Sequence, residues 1–202
     1  MTPPVKLENT QKYFDIGNVE FAENPLADRH QFAQNTILGL HQKKCRTITL
    51  GGGHDYGYPD ASGFLKASLL KKTDRKPIVI NFDAHLDVRP THNGLNSGTP
   101  FYRLLNEFDG QFEFVEIGIQ PQCNSVSHKA WAKEKGAHVF ELKDTSNGLN
   151  HLFSMPAFKN LTQDTDVFVS FDIDVLTSSE APGCSQSWST GLHTLDCLNF
   201  LN

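Results

Sequence analysis

The chain has 202 residues, of which 38% are hydrophobic and 20% charged, with a formal net charge of −5. That size and balance suit one globular domain and argue against disorder. With no long basic run, they also argue against nucleic acid or an anionic membrane as the main partner. No apolar run is long enough to cross a bilayer. The start, Met1-Thr2-Pro3-Pro4-Val5-Lys6, lacks the apolar core of a signal peptide, so the expected location is the cytoplasm. Cys45, Cys123, Cys184 and Cys197 form no CxxC pair and read as free thiols.

In chain order, Tyr13–Val19 reads as a short strand running into a loop. Pro25 to Lys43 reads as a helix, with Asn24 as N-cap and an approximate apolar stripe through Leu26, His30, Ala33, Ile37, Leu38 and Leu40. Arg46–Leu50 reads as a short buried strand. Gly51-Gly52-Gly53-His54-Asp55 follows, a turn that places His54 just past a strand end. Neither GxGxxG nor GxxxxGK[ST] is present, so a phosphate cradle is poorly supported there. A helix is expected over Asp60–Lys72, then the central strand Pro77–Ile80 leading into Asn81-Phe82-Asp83-Ala84-His85-Leu86-Asp87-Val88-Arg89. A polar loop, 90–100, precedes a helix over Phe101–Glu107. The strand Phe112–Ile119, a helix over Ser127–Lys135 capped by Ser127 and ended by Gly136, and a strand at His138–Phe140 come next. A weak helix over His151–Asn160, broken by Pro156, leads to the acidic strand Asp166–Val175 and finally a helix opening at Thr194–Leu201. Strands alternating with helices predict an α/β domain with a mostly parallel sheet.

The chemistry sits at strand ends. Asp83, His85 and Asp87 are spaced i, i+2, i+4, so on a strand they share one face. Kept straight, that strand would hold the two acids about 13 Å apart. The strand is therefore expected to end near His85 and curl Asp87 back toward Asp83. Asp172 and Asp174 repeat the pattern on a second apolar strand. Bare carboxylates are expensive to bury, so acids on two apolar strands imply a cation between them. A lone DxD is most often a turn or cap, but two such motifs at the ends of parallel strands converge on one sheet edge. The candidate ligand set is His54, Asp83, His85, Asp87, Asp172 and Asp174. One divalent ion leaves their four negative charges poorly balanced, whereas two ions with a bridging hydroxide nearly neutralise them. Oxygen-rich ligands with two imidazoles suit Mn²⁺. Such a pair lowers the pKa of bound water and suits hydrolysis at an electrophilic C–N carbon.

The motifs GGGHD at 51–55, NFDAHLD at 81–87 and SFDIDVL at 170–176 resemble, in order and type, the metal motifs of the ureohydrolase family, which includes arginases, agmatinases and formimidoylglutamases. The resemblance runs from about residue 45 to 192. It implies a three-layer α/β/α, arginase-like fold with two Mn²⁺ ions per chain. It also implies that His54, Asp83, Asp87 and Asp172 hold one ion, and Asp83, His85, Asp172 and Asp174 the other. Members of that family are longer at both ends, so residues 1–202 read as a single partial domain, and ring-like homo-oligomers occur among them.

Details lean toward formimidoylglutamase. Arg89 stands where arginases carry Asn, and its guanidinium suits a substrate carboxylate. Asn96-Ser97-Gly98-Thr99-Pro100-Phe101 resembles the SGTPF loop of formimidoylglutamases, and Ala181-Pro182-Gly183 their APG turn. Where arginases and agmatinases carry a Glu for the guanidinium, this chain has Ser187-Trp188-Ser189. The resemblance thus implies hydrolysis of a small carboxylated substrate, N-formimidoyl-L-glutamate, to L-glutamate and formamide, a step of histidine degradation. Arg89, Asn96, Ser97, Gly98 and Thr99 would contact substrate, with Asp87 and His92 in catalytic roles and His92 as a proton shuttle. A guanidino hydrolase sharing the metal core, and an inactive homologue, are the alternatives.

Overall fold

The computed structural model describes residues 12–19 and 23–202. Among these, four strands form one parallel sheet: β1 (Ile78–Phe82), β2 (Glu113–Ile119), β3 (His138–Glu141) and β4 (Val167–Phe171), in the order β3-β2-β1-β4. Five helices accompany it: α1 (Leu26–Gln42), α2 (Gly57–Leu69), α3 (Pro100–Glu107), α4 (Val126–Glu134) and α5 (Thr194–Leu201).

β1 is the centre because its sequence, IVINF, is buried at every position. Parallel strands covered on both faces carry such continuous apolar runs. Alternate side chains serve opposite layers. Val79 and Phe114 pack with Phe64, Leu65, Phe101 and Leu104 from α2 and α3. Ile78, Ile80, Phe82, Val115 and Ile117 pack with Leu152, Phe158 and α5's Phe200 on the other side. Two cores on one sheet make three layers, the α/β/α arrangement expected from the sequence.

Most expected elements form, with shifted ends. Helix α1 starts one residue late, with Pro25 rather than Asn24 at the cap. Helix α2 begins at Gly57, three residues early, since Pro59 is tolerated in a first turn. Helix α4 is capped by Ser125, whose hydroxyl accepts from the Ser127 N–H at 3.2 Å. The 151–160 segment breaks into two 3₁₀ turns around Pro156, Asn150–Ser154 and Pro156–Phe158.

Two expectations fail. Residues 46–50 carry no secondary structure, and Ile48 and Leu50 are 80% and 89% exposed. A β-branched run becomes a strand only when a partner supplies its ladder, and no described strand pairs with it. Residues 13–19 are likewise irregular and exposed.

The topology creates a crevice. β1 and β4 are neighbours, yet the chain leaves β1 toward α3 in one layer and leaves β4 toward α5 in the other. Diverging exits from adjacent parallel strands open a cleft at their carboxyl ends, where open α/β sheets bind ligands.

Candidate metal centre

The register fixes the first two acids. Phe82 pairs with Phe171. The ladder continues one step further, with the Asp83 N–H donating to the Ile117 carbonyl at 3.1 Å and the Asp172 N–H to the Phe82 carbonyl at 2.8 Å. Asp83 and Asp172 therefore leave neighbouring strands side by side.

The chain then turns sharply at both exits. β1 ends at Phe82, earlier than His85, and Asp87 has a left-handed backbone with φ of 47°. Asp tolerates that region better than most residues, and strain of this kind concentrates at functional sites. The turn brings Asp87 Oδ2 to 2.8 Å from His54 Nδ1, while Asp83 Oδ2 lies 3.0 Å and Asp172 Oδ2 3.2 Å from the same nitrogen. At β4's exit a 3₁₀ turn, Ile173–Val175, replaces the continued strand, and Asp172 Oδ1 caps it by accepting the Asp174 N–H at 2.9 Å. His85 Nδ1 lies 2.8 Å from Asp174 Oδ2 and 3.5 Å from Asp83 Oδ1.

All six ligand residues read from the sequence thus meet in two overlapping clusters. One is His54, Asp83, Asp87 and Asp172; the other is Asp83, His85 and Asp174, with ligand atoms within 4.8 Å of one another in each. Asp83 belongs to both, turning one oxygen to each. Asp172 falls in the first cluster only.

The donor set fits metal ions. One imidazole nitrogen faces three carboxylate oxygens, and a single N–H cannot satisfy three acceptors. A shared cation can. The absence of thiolate and the excess of carboxylate favour hard divalent ions such as Mn²⁺.

Left to one another, these groups share protons. Burial opposes charge on His54, but hydrogen bonds to Asp83 and Asp87 outweigh it and hold its pKa well above the ordinary value. His85, bonded to Asp174 and then Asp83, is raised to about 11. Burial, and then the charge on Asp83, push Asp87 up to about 7. Burial and Asp83 also raise Asp172. Burial resists ionisation of Asp83, yet His54 and His85 draw its pKa below the usual carboxylate range.

Residues that sequence reasoning missed hold the ligands in place. The Nε2–H of His54 donates to Ser170 Oγ at 2.8 Å, leaving Nδ1 for the cluster. Period two along β4 carries the signal, since Ser170 is two residues before Asp172. Asn124 gives its Nδ2 to the Ala84 and Gln120 carbonyls and accepts the Leu86 N–H, each at 2.8 Å, clamping the 84–86 turn. No sequence pattern marks it. Buried Asn81 donates to both Asp83 Oδ2 at 3.2 Å and Glu116 Oε2 at 2.9 Å. Burial, and then Asp83's charge, hold Glu116 well above the usual carboxyl pKa.

The other expected site residues lie on the 89–99 loop. Arg89 is exposed, and its guanidinium rests on Gly98, where an added Cβ would meet Arg89 Nε and Cζ at 2.5 and 2.6 Å. Asn96 Oδ1 accepts the Gly98 N–H at 3.0 Å, and buried Thr99 Oγ1 donates to the Asn96 carbonyl at 2.8 Å, so both side chains brace the loop itself. Ser97 is exposed, and His92 is exposed in the turn Thr91–Asn93. The Trp188 ring lies 6.4 Å from the His85 ring, flanking the second cluster.

Comparison with known proteins places the whole chain. Formimidoylglutamase from Bacillus subtilis is 32% identical over 195 residues, covering 92% of this chain and 58% of its own length. The crystal structure of formimidoylglutamase from the same species superposes with a TM-score of 0.79 at 29% identity, over 95% of this chain and 60% of that one. Trypanosoma cruzi formiminoglutamase with Mn²⁺₂ gives a TM-score of 0.78 at 27% identity, over 92% and 61%. The chain spans little more than half the length of the relatives it matches. The Arginase family model matches residues 3–202, and the chain belongs to the arginase family.

Proposed function

We propose that this chain carries a dinuclear manganese centre that hydrolyses the C–N bond of N-formimidoyl-L-glutamate, giving L-glutamate and formamide. The observation that carries the reading is Asp83, whose two oxygens face two separate ligand clusters. The resemblance would make Asp172 a second shared ligand, although its carboxylate lies with the first cluster alone. When bound, two such ions lower the pKa of a water so that it attacks as a nucleophile near neutral pH.

The chain's own residues supply the rest. Arg89, exposed two residues after Asp87, holds a substrate carboxylate in a bidentate pair. Asp87 takes a proton from the attacking water on its carboxylate. Asp87 then passes that proton to the departing amine nitrogen of glutamate as the C–N bond breaks, while the hydroxyl proton lost as the formamide carbonyl forms goes to solvent through exposed His92. Trp188 beside His85 offers an indole wall where a guanidinium substrate would need an acid, which favours an amidine. The relatives named formimidoylglutamase support the same substrate. The remaining expectations, a cytoplasmic location and a homo-oligomer, belong to this proposal; no described helix is long and apolar enough to cross a membrane.

The test is to load the protein with Mn²⁺, supply N-formimidoyl-L-glutamate and measure formamide and glutamate. Equal amounts of both are expected. Arg89→Met should raise KM at least about tenfold, the scale of a lost charged hydrogen bond, with a smaller change in kcat. Urea from agmatine or arginine, without formamide, would replace the substrate. No turnover of any of them by the manganese-loaded protein would leave a metal-binding homologue without activity.

A further inference from the structure

His30 is read from the sequence as part of an apolar stripe, but its buried ring is polar on both edges. Its side chain is 1% exposed, and Nε2 lies 2.6 Å from Asp55 Oδ2. Its other nitrogen, Nδ1, lies 2.9 Å from a terminal nitrogen of Arg103 on α3. A guanidinium can only donate, so Nδ1 accepts and the ring proton sits on Nε2, donating to Asp55. The hydrogen bonds therefore run in one direction, from Arg103 through His30 to Asp55. Arg103 is fixed in turn over the Tyr58 ring of α2, 3.4 Å from its centroid. The His30 ring also meets Tyr56 edge-to-face at 5.2 Å.

Asp55 is the residue after His54, in the 3₁₀ turn His54–Tyr56. Its other oxygen folds back over Gly53, where a Cβ would fall 2.5 Å from it. The Asp55 carboxylate thus lies against Gly53, the residue before His54, and is tied to His30. The preceding segment, 46–50, has no sheet partner among the described residues to anchor it. The His54 turn is therefore held from its helical side, and His54's own ring by Ser170.

We propose that Arg103, His30 and Asp55 form a positioning chain that sets the height of His54, and so governs one metal position selectively. The cluster of His54, Asp83, Asp87 and Asp172 depends on this turn. The cluster of Asp83, His85 and Asp174 is built from the exits of β1 and β4 and takes nothing from residues 51–57. None of the three positioning residues is a ligand. This inference rests on the dinuclear reading of the site.

The experiment is a Mn²⁺ titration by calorimetry, with electron paramagnetic resonance to count bound and coupled ions, on the full chain and its His30→Ala and His30→Gln variants. Wild type should bind two ions. His30→Ala should bind one ion as wild type does and the other about 10- to 100-fold more weakly, the usual cost of losing a ligand's supporting contacts. In His30→Gln a carbonyl oxygen can accept from Arg103 and an N–H can donate to Asp55, so it should recover most of the loss. Weakening of both ions alike, of neither, or equal weakening in the Ala and Gln variants would overturn the inference. Should His30→Ala fail to fold by circular dichroism, Arg103→Met carries the same test: it keeps the stem, removes the donor, and should again weaken one ion only. A wild-type chain that takes up fewer than two ions would refute the dinuclear reading itself, and the inference with it.

Discussion

Ser170 Oγ stands 2.8 Å from His54 Nε2, although 116 positions separate the two residues. A metal-binding imidazole is usually oriented by the partner of its other nitrogen. Ser170 supplies that partner from β4, the strand that also delivers Asp172. Ser170→Ala is expected to lower Mn²⁺ affinity about tenfold at one position while leaving the melting temperature within a few degrees. Calorimetric titration checks the first value and differential scanning the second.

Protons and metal ions compete for this centre. His85 is raised to about 11, and His54 lies well above its ordinary value, so both rings are charged at neutral pH when no metal binds. Loading the centre should release at least two protons per chain, one from each ring and a further share from Asp87, raised to about 7, and affinity should climb from pH 6 to pH 8. Titration in buffers of different ionisation enthalpy counts the protons. The same shifts set stability. A histidine raised from 6.5 to about 11 in the fold contributes fully below 6.5 and loses that contribution as pH rises through 11. The melting temperature of metal-free protein should therefore fall between pH 6.5 and 9, and added Mn²⁺ should flatten the curve.

Glu116 is a fully buried carboxyl under the acid cluster, linked to Asp83 through Asn81. Burial, followed by Asp83's charge, raises its pKa well above the ordinary value. An acid raised in the fold favours folding at low pH and costs stability as pH rises above its unfolded value. Glu116→Gln removes that cost and keeps an oxygen for Asn81. The variant should be more stable than wild type at pH 8 and nearly equal to it at pH 4, by chemical denaturation. Lower stability at both would refute the upward shift of the Glu116 pKa.

Gly98 is required by Arg89 rather than by backbone conformation. A Cβ at Gly98 would lie 2.5 Å from Arg89 Nε and 2.6 Å from Cζ. Gly98→Ala should displace the guanidinium and raise KM for a carboxylated substrate about tenfold, with Mn²⁺ stoichiometry unchanged. Steady-state kinetics beside metal analysis separates the two effects.

The convergence of the six candidate ligands was legible because their geometry follows from strand periodicity and from the rule that parallel sheets gather strand exits on one edge. Asp83 and Asp172 needed nothing more than neighbouring strands in register. The turn at Asp87 was legible as a distance problem, though not as a left-handed residue. What escaped depends on partners distant in sequence. Residues 46–50 have the composition of a strand but lack a ladder, and Val167, Val169 and Phe171 of edge strand β4 stay 39%, 38% and 40% exposed. His30 looked apolar because helical spacing marks a buried face without saying what lies across it. Asn124 and Arg103 carry no local pattern at all, since their roles arise only when loops and helices meet.

The central claim is that two clusters share Asp83 and hold a pair of divalent ions. Equilibrium dialysis against Mn²⁺ followed by elemental analysis tests it most directly, on wild type and Asp83→Asn. The account predicts two manganese ions per wild-type chain and loss of both in Asp83→Asn, because the shared carboxylate serves each. One ion or none in wild type, or two still bound by Asp83→Asn, would contradict it.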